Sequence, residues 1–166
     1  LTKPDIAVVT SVGESHIEML GSRESIALAK YEIVNGLKNE GTFIYSKDYP
    51  LLEQIVDNKV DYSIKSAGLD NSNDDQVTEV RADGEGTRFK FKGQNFKISQ
   101  LGAHNALNAS LAILVGETLG VSLEESKDNL EDLSVTSMRM ERIQDESGAL
   151  IINDAYNASK ASMISA

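Results

Sequence analysis

Three short clusters of polar residues carry side chains suited to holding a nucleotide and a metal ion. The first, Gly13-Glu14-Ser15-His16, directly follows an apolar run, and Lys30 lies in the helical pattern after it. A carboxylate beside a neutral imidazole is a reasonable ligand pair for a divalent cation, although a loop histidine held by a turn explains the same residues. Lys30 neighbours the apolar positions Ala27, Ala29 and Ile33, where a lysine either serves a site or snorkels its ammonium out to water. The second cluster, His104-Asn105-Ala106-Leu107-Asn108, opens the most apolar helical pattern of the chain. Asn105 and Asn108 are three residues apart, and His104 and Asn108 four, so Asn108 shares a helix side with both. An asparagine amide can pair in two directions with adenine. Helix capping accounts for Asn105 equally well, but not for Asn108. The third cluster, Asn153-Asp154-Ala155-Tyr156-Asn157, leaves the last apolar strand, and Arg139 stands at the start of the strand before it. A carboxylate at a strand end can accept hydrogen bonds from ribose hydroxyls, and an arginine can stack on a base or meet phosphate. A plain polar turn is the competing reading of this stretch.

The elements that must position these clusters alternate. Asp5 to Thr10 reads as a buried parallel strand, and Ser22 as the N-cap of a helix carrying Ile26, Ala29, Ile33 and Leu37 on one side, with Gly41 placed for a C-terminal cap. Thr42 to Tyr45 is a second strand, Pro50 opens a short helix to Val56, and Val60 to Ile64 is a third strand. This βαβαβ order predicts an α/β fold with a mainly parallel sheet flanked by helices. Ser66 to Gln76 reads as a loop. A small antiparallel insert is then expected over about 76–100, with strands at Val77 to Ala82, Thr87 to Lys92 and Asn95 to Ser99. Phe89 and Phe91 alternate with Lys90 and Lys92, so one face is buried and the other wet. A helix from Ala103 to Leu119 ends at Gly120, a capping box at Ser122 and Glu125 opens another to about Leu133, and two strands flank the Ser147-Gly148 turn.

Composition narrows the classes. A chain of 166 residues with a formal charge of -10 and no cysteine has no disulfide or thiolate metal site and no basic footprint for nucleic acid or an anionic membrane. With no long apolar run, a cytoplasmic setting and a monomer are expected. Leu1 at the start and a helix beginning near Ala166 read as an excised piece.

Taken in order, Lys3 to His16, Ala29-Lys30-Tyr31-Glu32-Ile33, Gly102 to Asn108 and Asp154-Ala155-Tyr156-Asn157-Ala158 resemble the Mur ligase family over nearly the whole chain. The Gly-Glu-Ser-His and Asp-Ala-Tyr-Asn runs are similar to the branch that joins D-alanyl-D-alanine to UDP-N-acetylmuramoyl-tripeptide, and the Asp-Ala-Tyr-Asn run counts against a relative such as folylpolyglutamate synthase. The resemblance implies an ATP-dependent amide ligation through an acyl phosphate, in peptidoglycan precursor synthesis, with magnesium offsetting the charge between carboxylate and phosphates. It implies that His16 and Glu14 serve the second magnesium and that Lys30 is a carbamylated lysine holding that metal. It places Asn105 and Asn108 on the adenine side, Arg139 near base and ribose, Asp154 on the ribose, and Tyr156 and Asn157 at a hinge close to the phosphates. Residues 1–157 would then be part of the central ATP-binding domain, and 158–166 the hinge and start of a C-terminal ligase domain. Two departures stand out: Ser159-Lys160 follows Ala158 where the family carries asparagine and proline, and no Gly-Lys dipeptide supplies a P-loop. This chain alone is therefore expected to turn over no ATP; a folylpolyglutamate synthase-like ligase and a non-catalytic nucleotide-binding module are the alternatives.

Overall fold

A computed structural model of the chain describes residues 2–14, 17–56, 61–133, 141–153, 155, 156 and 163. The central element is a four-stranded sheet in the order β1 (Ile6–Val9), β2 (Thr42–Tyr45), β3 (Ser63–Gly68) and β4 (Asp75–Gln76), every neighbouring pair parallel. Parallel strands need crossovers, and α1 (Ile17–Leu20), α2 (Arg23–Tyr31) and α3 (Pro50–Glu53) lie in them. Alternation along β2 sends Phe43 and Tyr45 into one core with Ala7, Val9, Ile26, Ala27 and Leu52, and Ile44 into another with Ala67, Phe89, Phe91, Leu111 and Leu114. The parallel sheet is thus covered on both faces, the α/β layer arrangement that the element order predicts.

The second cover comes from an antiparallel meander, β5 (Thr78–Asp83), β6 (Gly86–Phe91) and β7 (Gln94–Ile98), together with the long helix α4 (Ala103–Thr118) and α5 (Leu123–Glu131). Phe89 and Phe96 face each other across β6 and β7, stacked at 5.5 Å between centroids, and both are buried. Ser122 and Glu125 close the capping box of α5 reciprocally, as the sequence indicates. A hairpin, β8 (Glu141–Gln144) and β9 (Leu150–Asn153), ends the described strands; its turn is held by the Asp145 carboxylate, which accepts from the Ser147 and Ala149 amides. No helix among the described residues is long and apolar enough to cross a membrane.

The helix opened by Pro50 ends at Glu53 rather than Val56, and larger differences from the sequence reading fall at three places. The helix capped by Ser22 stops at Tyr31 and tightens into a 3-10 turn, Glu32–Gly36, because the chain must come back to the segment before β1, where the Lys38 amide donates to the Pro4 carbonyl at 3.0 Å. Gly41 caps no helix; a Cβ there would stand 2.9 Å from the Asp5 and Lys38 carbonyl oxygens, so the position needs glycine for close backbone approach. Ser66 to Gln76 is not one loop. Ser66, Ala67 and Gly68 continue β3, and Asp75 and Gln76 pair parallel to it as β4, so the antiparallel insert begins at Thr78 rather than near 76.

Side chains that made the stretch look like a loop hold the β2 and β3 edge instead. The Asp48 carboxylate accepts from the Leu69 and Asp70 amides and from the Asn73 Nδ2. The Asp74 carboxylate accepts from the Ser66 amide, the Ser66 hydroxyl and the Lys47 ammonium. Burial alone would push the Asp74 carboxyl up, but Lys47 and Ser66 outweigh it and hold its pKa below the ordinary 3.8. A carboxylate depressed by folding stabilises the fold above its unfolded pKa, and that contribution is lost as pH falls through the folded value. Acid titration followed by circular dichroism should therefore show stability falling below about pH 4. Asp74→Asn should lower stability at neutral pH by about 1 kcal/mol and flatten the acid decline, whereas an unchanged acid profile would show that this carboxylate holds nothing together.

Candidate functional site

The loop after β1 and the last turn of α2 come together at the carboxyl end of the parallel sheet. Lys30 Nζ donates to the Ser11 carbonyl oxygen at 2.6 Å, spanning 19 residues of sequence. Val12 is buried beneath this loop, Glu14 is exposed, and the Glu14 carbonyl accepts from the Ile17 amide at 3.1 Å to open α1. Lys30 itself is exposed, as are Leu28 and Ala29, while Ile26 and Ala27 carry the buried side of α2. The apolar setting that the sequence offers for Lys30 is therefore not formed by Ala29 or Ile33; what holds the amine is a backbone carbonyl.

At the second cluster, α4 begins on Gly102, which has φ +102° and ψ 150° and gives no side-chain cap. Asn105 does not cap either. Its Nδ2 donates back to the Leu101 carbonyl at 2.9 Å, which orients the amide, and Asn108 is exposed one turn further on. The His104 ring lies against Gly102, where an added Cβ would meet it at 2.7 Å. Buried Thr87 fixes the approach to the helix: its hydroxyl donates to the Gln100 carbonyl at 2.7 Å and accepts from the Gly102 amide at 2.9 Å. Neither Thr87 nor Ser11 is visible from sequence as a site residue, since Ser11 acts through its own backbone carbonyl and the Thr87 hydroxyl bonds the backbone of distant Gln100 and Gly102. Gly102 has a signal only in being a glycine just before a helix.

Of the third cluster, Tyr156 is described and largely exposed, and Asn153 ends β9. His16, Arg139, Asp154 and Asn157 lie outside the described residues, as do 158–162 and 164–166 of the expected hinge. Among the described residues no three His, Asp or Glu side chains gather as a cation site. The oxygen donors at hand are the Ser11 carbonyl and the Glu14 carboxylate, which fit magnesium in kind. Lys30 as an ammonium donates and cannot ligate a cation; as a carbamate it would present oxygens of the right charge.

A doubly covered parallel sheet, with a lysine anchored over its first loop and an asparagine pair opening the helix on its other face, is the α/β arrangement in which ligands bind at the carboxyl ends of the strands. The Mur ligase middle domain matches residues 1–116, and the chain belongs to that family. It is 48% identical over 165 residues to the UDP-N-acetylmuramoyl-tripeptide--D-alanyl-D-alanine ligase of Bacillus subtilis (strain 168), covering 98% of this chain and 35% of that protein. Among solved structures it resembles UDP-N-acetylmuramoylalanyl-D-glutamyl-2,6-diaminopimelate--D-alanyl-D-alanyl ligase from Acinetobacter baumannii, with TM-score 0.86 and 27% identity over 98% of this chain and 36% of that one. It also resembles the MurF ligase from Thermotoga maritima in complex with ADP, with TM-score 0.83 and 26% identity over 98% of this chain and 38% of that one. The chain thus spans about a third of the length of these relatives.

The φ and ψ at Gly102 fall in a region that is essentially reserved for glycine. Gly102→Ala should therefore cost on the order of 1–3 kcal/mol and displace the His104 ring. Thermal unfolding together with the His104 proton shifts would measure both, and a variant as stable as the wild type would contradict the reading of this turn.

Proposed function

We propose that this chain is the central, ATP-binding part of a cytoplasmic, magnesium-dependent ligase that joins D-alanyl-D-alanine to UDP-N-acetylmuramoyl-tripeptide in cell-wall precursor synthesis. The observation that carries the reading is 48% identity with the Bacillus subtilis ligase sustained over 98% of the chain. In the reaction, a carboxylate oxygen of the tripeptide attacks the γ-phosphorus of ATP and ADP leaves. The amine of D-alanyl-D-alanine then displaces phosphate from the acyl phosphate and gives up a proton as the amide forms.

This chain's residues take the adenine and second-metal side of that chemistry. The half-buried Asn105, its amide oriented by the Leu101 carbonyl, keeps one amide hydrogen and its oxygen for the base edge, and exposed Asn108 stands on the same side of α4. The ADP complex of the Thermotoga maritima relative supports an adenine nucleotide as the ligand class. Arg139 and Asp154 are assigned to base and ribose, and Tyr156 and Asn157 to the hinge near the phosphates. Magnesium, when bound, neutralises charge on the phosphates and the reacting carboxylate. Glu14, His16 and Lys30 are the residues proposed to hold it. For Lys30 this requires the ammonium to lose one proton and the resulting amine nitrogen to add to carbon dioxide with loss of a second, which together turn a cation into a carbamate anion. The Ser11 carbonyl holds the nitrogen over the loop after β1, where that carbamate is needed.

Phosphate release by the full-length protein with MgATP should require both UDP-N-acetylmuramoyl-tripeptide and D-alanyl-D-alanine. Stimulation by a folate and glutamate instead would overturn the substrate assignment. Lys30→Ala should lower kcat by on the order of 10²-fold or more, as expected for loss of a group that stabilises developing charge. Full activity in that variant would remove Lys30 from the mechanism.

A further inference from the structure

α2 ends on two adjacent residues whose side chains do different things. Lys30 extends outward to the Ser11 carbonyl at 2.6 Å. Tyr31 turns inward: its ring meets Phe43 edge-on, with centroids 5.6 Å apart and planes at 69°, and its hydroxyl lies 3.0 Å from the Tyr62 hydroxyl just before β3. Phe43 in turn stacks on Tyr45 at 5.3 Å with planes 9° apart, and both are buried. Burial first, then the nearby Glu53 and Asp74 carboxylates, pushes the Tyr45 phenol up to about 12.

The rest of α2 cannot fix its own last turn. Ile26 and Ala27, its buried residues, lie before the last turn of the helix, and Leu28, Ala29 and Lys30 are exposed. Directly after Tyr31 the helix tightens, with the Glu32 amide shared between the Leu28 and Lys30 carbonyls. A lysine has a flexible four-carbon stem, so its amine is held in one place only if the Cα from which it starts is held. We infer that Tyr31 is a positioning residue for Lys30: packed on Phe43 and bonded to Tyr62, it pins the last turn of α2 to β2 and β3 and thereby sets where the Lys30 amine stands relative to the loop after β1. The inference rests on the role proposed above for Lys30. It assigns that role a support which touches neither nucleotide nor metal.

The test uses the full-length protein with Tyr31→Phe, which keeps the ring and removes the hydroxyl, Tyr31→Leu, which removes both, and Lys30→Ala. Measured for each are kcat, KM for ATP, the dependence of kcat on added bicarbonate, and thermal stability. Displacement of a catalytic group by about 1 Å can cost on the order of 10²-fold in rate. Tyr31→Leu should accordingly lose at least tenfold in kcat with little change in KM for ATP, and part of the loss should return at high bicarbonate, where carbamate formation is driven by mass action. Tyr31→Phe should fall about fivefold or less, the worth of one net hydrogen bond, with the same bicarbonate response. A structural role alone would lower thermal stability in both variants while leaving kcat per folded molecule and the bicarbonate response as in the wild type; that result, with Lys30→Ala inactive, overturns the positioning role and leaves the role of Lys30 standing. A fully active Lys30→Ala removes both. Should Tyr31→Leu fail to fold, Tyr31→Phe decides, since its ring still fills the same space.

Discussion

β2 is buried on both of its faces, and the placement of everything else follows from that. Phe43 and Tyr45 must be covered by α2 and α3, and Ile44 by α4 and the meander, so the sheet can expose neither side. Full burial of a side chain such as Phe43 is worth about 1.5–3 kcal/mol, and three consecutive residues bury such area in alternating directions. With both faces taken, ligands are left the strand ends, where the loop after β1 emerges.

The two halves of the candidate site hang on opposite sides of this strand. On one side the Tyr31–Phe43–Tyr45 column ties the turn that carries Lys30 to the sheet. On the other, Ala106 and Leu107 sink into the core beside Ile44 while Asn108 stays exposed, so the register of α4 is set by packing and its polar side is what remains. Thr87 extends that control to the preceding loop by bonding both Gln100 and Gly102. The geometry of the site is thus a consequence of how the cores fill.

Much of this was legible in the residues. The βαβ alternation, the period-2 pattern of Phe89 and Phe91, and the Ser22 and Ser122 caps all rest on local chemistry, and each matches the structure. What local chemistry could not show was the end of α2, after which the chain turns back to bond Lys38 to Pro4, or the extension of β3 through a Ser, Ala and Gly run that composition alone makes loop-like. Asp48, Asn73 and Asp74 resemble solvated loop residues until their partners are seen: Ser66 of β3 for Asp74, the Leu69 and Asp70 amides just after β3 for Asp48, and Asp48 and the Lys47 amide for Asn73. The setting of Lys30 differs from the sequence pattern for a related reason: helical spacing identifies an apolar side, but which side packs is decided by the sheet, and it took Ile26 and Ala27 rather than Ala29 and Ile33. His104 against Gly102 and Asn105 against Leu101 likewise depend on backbone that turns only in three dimensions.

The central claim is that the start of α4 receives the adenine of a nucleotide whose phosphates are held elsewhere in the full-length protein. Photolabelling that protein with 8-azido-ATP and magnesium, followed by peptide mapping, tests it directly. Label on the peptide spanning Leu101 to Asn108, suppressed by excess ATP, is the expected result. ATP-suppressible label found only on peptides away from this turn would contradict the account.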